Sequence, residues 1–182
     1  DKTNLYYISY SNKSETLKIY YEWGFPNRSF GNYLPSIFSD HSRANTLGLI
    51  KYSIFDNDNF FGGFEITRLL QSSYYYKIPS PNWYDNIKYN FSSFNNRRWA
   101  AHSGSDSDDL LIFLGYSLNN LSVVYGLNFE RHGITFHFPP EVKFENKIFA
   151  RYSFSKFDLY LILESEYFEN YAFLNNNQNI CC

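Results

Sequence analysis

The amino-acid sequence predicts an all-β chain: an antiparallel up-and-down transmembrane β-barrel, with about eight strands here as part of a larger barrel. Three observations predict it. Apolar residues recur at every second position in run after run, while helical spacing is scarce. The runs are about 10 residues long, the length a tilted strand needs to cross a bilayer, whereas strands of soluble proteins average about 5 or 6. Short and long connections alternate along the chain.

The expected strands, in order, are Asn4–Tyr10, Glu15–Gly24, Ala44–Ile54, Phe60–Leu70, Asp109–Leu118, Leu121–Arg131, Lys147–Phe154 and Phe157–Phe168. In the second, Leu17, Ile19, Tyr21 and Trp23 share a face, and Thr16, Lys18, Tyr20 and Glu22 lie opposite. In the fourth, Phe60, Phe64, Ile66 and Leu70 oppose Phe61, Gly63, Glu65, Thr67 and Leu69. The fifth carries an unbroken apolar row, Leu110, Ile112, Leu114, Tyr116 and Leu118. The sixth sets Leu121, Val123, Tyr125, Leu127 and Phe129 against Ser122, Gly126, Asn128 and Glu130. The last sets Phe157, Leu159, Leu161 and Leu163 against Asp158, Tyr160, Glu164 and Glu166. Short turns fall at Ser11–Ser14, Phe55–Asn59, Leu118–Asn120 and Ser155-Lys156, rich in the Asn, Asp and Ser that tight hairpins use. Long connections fall at Phe25–Arg43, Gln71–Asp108 and His132–Asn146. Trp83, Asp85, Ile87, Tyr89 and Phe91 could make a ninth strand, but it would reverse the alternation. Gln71–Asp108 therefore reads as one excursion that could carry a small hairpin of its own, and Pro79 and Pro81 favour a break. Residues 1–174 form the barrel region and 175–182 a polar tail.

Composition limits the alternatives. The 182 residues carry a net charge of −2, so no basic field invites nucleic acid. Aromatics reach 22 %, with 18 Tyr and 19 Phe, which fits either an AT-rich genome or a girdle of rings at a membrane interface. The chain has no Met and no visible signal peptide, so it reads as a processed product or a piece of something longer. No apolar run approaches the roughly 20 residues of a membrane helix. Cys181 and Cys182, adjacent at the end, match no metal spacing and build no disulfide framework.

The alternation places all four histidines, His41, His102, His132 and His137, in long connections, and Trp23, Trp83 and Trp99 in or beside them. In such barrels these loops face outward from the cell, and the recognition chemistry is expected there. The densest polar cluster runs from Arg97 to Asp109 and includes Arg98, Trp99, His102, Asp106 and Asp108. An indole stacks on a sugar ring, while carboxylate and guanidinium groups take paired hydroxyls. Trp99, His102, Asp106, Asp108, Arg98, His41, Arg43, Trp83 and His132 are the candidate carbohydrate-binding residues. Asp106 to Asp109 is also a loose match to a calcium loop, but the terminal Glu of that pattern is missing, and neither metal nor cofactor is expected. Glu22, Glu65, Glu130, Arg151 and Glu164, with Glu166, fall on the inward rows and would line a polar lumen.

Three segments in order, Lys18-Ile19-Tyr20-Tyr21-Glu22-Trp23-Gly24, Asp40-His41-Ser42-Arg43-Ala44 and Gly63-Phe64-Glu65-Ile66-Thr67, together resemble the capsule assembly protein Wzi family. Asn82-Trp83-Tyr84 and the stretch from Trp99 to Asp109 extend the similarity, which weakens towards Arg131. The resemblance implies a bacterial outer-membrane lectin-like barrel that tethers capsular or exopolysaccharide, with outer-membrane lipid around it. It implies no enzymatic activity. An outer-membrane porin or transporter is the alternative. A lipid-modifying hydrolase would need a nucleophile elbow that the sequence lacks, and a soluble sandwich is the structural fallback.

Overall fold

The computed structural model describes residues 3–26, 43–70, 93–94, 97–98, 106–135, 137–173 and 180–181. Eight long strands dominate it: β1 (Thr3–Ser11), β2 (Leu17–Pro26), β3 (Arg43–Tyr52), β4 (Phe60–Leu70), β7 (Ser107–Leu118), β8 (Leu121–His132), β9 (Glu141–Ser153) and β10 (Asp158–Glu169). Three two-residue strands, β5 (Ser93–Phe94), β6 (Arg97–Arg98) and β11 (Ile180–Cys181), complete the set. The long strands lie side by side in chain order, and each neighbouring pair is antiparallel. Among the described residues β5 and β6 pair only with each other, inside the long excursion. β11 pairs with Tyr167 and Phe168 near the end of β10, and the rest of the expected polar tail lies outside the described residues.

The turns are built by their own side chains. Leu17 donates its N–H to Asn12 Oδ1 at 3.0 Å, and Asn12 Nδ2 donates to the Ser14 and Thr16 hydroxyls, closing the first hairpin. Asn119, with φ 49°, takes the left-handed conformation that asparagine tolerates and joins β7 to β8. β9 begins at Glu141 rather than Lys147. Two prolines, Pro139 and Pro140, end the connection, and the alternation Glu141, Lys143, Glu145, Lys147 runs on without a break.

The expected barrel is not formed. Among the described residues β1 pairs only with β2, and β10 only with β9 and β11. The sheet is open and has two edges. The expectation failed because period-two alternation fixes which side chains share a face, while closure needs the first and last strands to exchange backbone hydrogen bonds. An open sheet encloses no lumen and no channel, so the porin or transporter alternative falls with the barrel. The outer-membrane assignment loses the closed barrel that supported it. Among the described residues no helix is long and apolar enough to cross a membrane.

The pairing divides the long strands into two faces. One carries Tyr20, Glu22, Thr46, Glu65, Thr67, Asp109, Asn128, Glu130, Lys143, Glu145, Glu164 and Glu166. The other carries Ile8, Ile19, Leu49, Phe64, Ile112, Leu127 and Ile148. Burial runs opposite to that of an ordinary soluble domain. Among the described residues Leu69 is the one buried large apolar side chain, whereas Thr67, Asp106, Ser107, Asn128, Glu130 and Glu145 are all buried. Ile8, Ile112, Leu114 and Leu161 stand exposed on the other face.

Candidate functional site

Charged chemistry concentrates on the polar face where β8, β9 and β10 meet. The register sets Glu130 opposite Lys143 and Asn128 opposite Glu145. On the other side of β9 it sets Glu166 opposite Glu145 and Glu164 opposite Lys147. Two carboxylates directly opposite would destabilise the pair. Lys143 offsets this: its Nζ lies 2.8 Å from Glu145, 2.6 Å from Glu166 and 3.8 Å from Glu130. Lys147 repeats the motif one step along, 2.6 Å from Glu164 and 4.0 Å from Glu145. Burial works against charge on Lys143. Hydrogen bonds to Glu145 and Glu166, with the attraction of Glu130 and Glu145, outweigh it and hold its pKa above the ordinary lysine range. Lys147 is raised as well, chiefly by its hydrogen bond to Glu164.

Carboxylate oxygens of Glu145, Glu164 and Glu166 lie within 4.8 Å of one another, close enough for one cation. Lys143 and Lys147 already supply that positive charge, so the arrangement is an internal ion-pair ladder. His132 ends it, with Nε2 3.0 Å from Glu130. Farther across the same face the Tyr20 hydroxyl donates to Glu65. Burial first, then this bond and the charges of Glu65 and Glu22, raise the Tyr20 pKa far above the ordinary phenol value. The Tyr20 ring lies over Gly48, where an added Cβ would meet it at 2.0 Å, so Gly48 provides the room the ring occupies.

The apolar face has a banded order. One cross-strand row reads Ile19, Leu49, Phe64, Ile112 and Leu127. Towards the long-connection end the next row adds rings: Tyr21, Phe129, Phe144 and Tyr167. Beyond it comes a row of Trp23, Asn45, Arg68, Asp108 and Arg131, in which Arg131 Nε donates to Asp108 at 2.8 Å. At the short-turn end rings gather again. Phe60 packs on Tyr116 at 4.9 Å, Tyr152 on Phe154 at 4.7 Å, and Phe154 on Phe157 at 4.5 Å.

Of the candidate carbohydrate residues, Asp106, Asp108 and His132 come together where the start of β7 meets the end of β8. Trp99, His102, His41 and Trp83 lie outside the described residues. Arg98 stands in β6 opposite Ser93, and Arg43 opens β3 opposite Leu70. Asp106 is buried and works on its own loop: Thr135 donates its N–H to both carboxylate oxygens at 3.2 Å, and Gly133 donates to the Asp106 carbonyl at 2.8 Å. Asp108 is taken by Arg131, and His132 by Glu130. Glu22, Glu65, Glu130, Arg151 and Glu164 share the polar face of the open sheet. Arg151 lies 2.8 Å from Asp158. Sequence reasoning missed Lys143 and Glu145, the centre of the ladder, because it placed both in a connection. The signal was present in the period-two charges running back from Lys147 to Glu141.

A comparison with protein-family models, with curated proteins and with solved structures found no match to this chain. The resemblance to the Wzi family is therefore not supported, and the polysaccharide-tethering function that it implied falls with it. The outer-membrane assignment loses its second support in the same way. Lys18–Gly24 and Gly63–Thr67 are pieces of alternating strand in β2 and β4, which any aromatic-rich antiparallel sheet repeats, and residues 40–42, 82–84 and 99–105 lie outside the described residues.

Proposed function

We propose that this chain acts by binding rather than catalysis, and that its apolar face is a lipid-binding surface laid against acyl chains. The observation that carries the reading is the banding: an aliphatic centre around Ile19, Leu49, Ile112 and Leu127, bordered at both ends by rings. Acyl chains favour the aliphatic band. Tyr and Trp, each with an apolar body and a polar tip, favour its border with water. Tyr21 fits this role, since it donates its hydroxyl to Asn45 in the row beyond it. A surface meant for water would not leave so large a contiguous apolar area uncovered. On the opposite face Lys143 and Lys147 each tie acids of neighbouring strands together, which suits a scaffold.

The test uses the full chain and phosphatidylcholine vesicles carrying bromine on the acyl chains. With Trp83→Phe and Trp99→Phe in place, Trp23 should be quenched and the protein should float with the vesicles. A chain that stays in the aqueous fraction with unquenched Trp23 fluorescence overturns the reading.

A further inference from the structure

The open sheet leaves two unlike edges. β10 carries Asp158, Glu164, Glu166 and Glu169, and its far end is covered by β11. β1, Thr3–Ser11, has no charged residue, no proline and no glycine, and Leu5, Tyr7, Ile8 and Tyr10 are all more than half exposed. Edge strands of soluble sheets are usually protected by a lysine, a proline, a bulge or a covering segment. Among the described residues β1 has none of these.

Its free hydrogen-bonding groups follow from the ladder. Asn12 donates its N–H to the Leu17 carbonyl at 3.1 Å. Inward and outward positions alternate in an antiparallel pair. The backbone groups of Asn4, Tyr6, Ile8 and Tyr10 therefore face β2. Those of Thr3, Leu5, Tyr7, Ser9 and Ser11 face the open side. Tyr7 is the middle residue of the strand and one of the outward set.

We propose that β1 is a self-association edge, and that its partner is β1 of a second copy of this chain, paired antiparallel about a two-fold axis at Tyr7. That register uses the whole strand. Tyr7 meets Tyr7, Leu5 meets Ser9 and Thr3 meets Ser11 as hydrogen-bonded pairs, on the order of ten backbone bonds in all. Tyr6 meets Ile8 on the apolar side. No charge faces a like charge, whereas β10 against itself would align acidic residues. A two-fold axis normal to the sheet keeps both apolar faces on the same side, so one continuous apolar surface spans two copies. The isologous contact closes at two chains. The pairing stands independently of what covers the apolar face.

Sedimentation of the full chain in a mild detergent tests it. The parent should run as two chains. Tyr7→Pro removes the central outward donor without touching the β2 ladder, and Tyr7→Lys sets two cations at the axis. Each should weaken the dimer at least about tenfold. If Tyr7→Pro fails to fold, Tyr7→Lys decides. In a Cys181→Ser, Cys182→Ser background, Tyr7→Cys should cross-link on oxidation and Thr3→Cys should not. A one-chain parent, or a dimer that survives Tyr7→Lys, overturns the proposal. So does cross-linking of Tyr7→Cys to Ile162→Cys in β10 in place of itself.

Discussion

The two faces of this sheet are built from the same strands, residue by alternate residue, and they treat solvent in opposite ways. Glu130 is 2 % exposed, while Ile112, on the neighbouring strand and the opposite face, is 47 % exposed. In water the cheaper arrangement is the reverse, because apolar surface gains by leaving water and a buried carboxylate loses its hydration. The difference teaches that the polar face solves its own solvation problem and the apolar face does not. The buried acids Glu130 and Glu145 share Lys143, which stands opposite the first and two residues from the second. The apolar side chains on the other face stand exposed among the described residues.

The sharpest way to break the contrast is to remove the cation at the centre of the ladder. Lys143→Met removes the lysine that lies between the buried acids Glu130 and Glu145 and should cost about 3–5 kcal/mol, read by denaturant titration. Lys143→Arg should recover part of it. A loss below about 1 kcal/mol would show that the acids are solvated after all. The same lysine sets a pH dependence. Its folded pKa lies above its unfolded value, so its stabilisation is complete below the ordinary lysine range and is lost as pH rises beyond that range through the folded pKa. Tyr20 shifts in the same direction and weakens the fold over the same alkaline side. Stability that rises through this range would contradict both.

On the apolar face, Ile112→Arg should weaken vesicle binding by roughly 3 kcal/mol, about the cost of a charge among acyl chains, and should alter stability in water far less. Equal effects on binding and on folding would mean that this face is covered by protein. A smaller effect is expected from Tyr20→Phe, which removes a hydrogen bond to a charged acceptor and should cost about 1.5–3 kcal/mol in thermal or denaturant melts. The smallest belongs to the exposed end row. Arg131→Ala breaks the pair with Asp108, and because Arg131 is 45 % exposed its loss should cost no more than about 1 kcal/mol.

The amino-acid sequence by itself determined the antiparallel class, the extent of most long strands and the membership of each face, because side-chain alternation along a strand is local. Leu17 to Trp23 and Leu110 to Leu118 could be assigned to a face without knowing their neighbours. The hairpin at Asn119 was legible for the same reason, since its conformation depends on the residue itself. Tertiary pairing decided the rest. Whether β1 meets β10 is a relation between residues at the two ends of the chain, and no local pattern encodes it. The ladder depends on register: Lys143 neutralises Glu130 and Glu166 only because β8 and β10 flank β9 in one particular alignment. Asp106 shows the same limit. Its composition suggested a ligand-binding loop, and the fold turned its carboxylate inward to hold the N–H of Thr135.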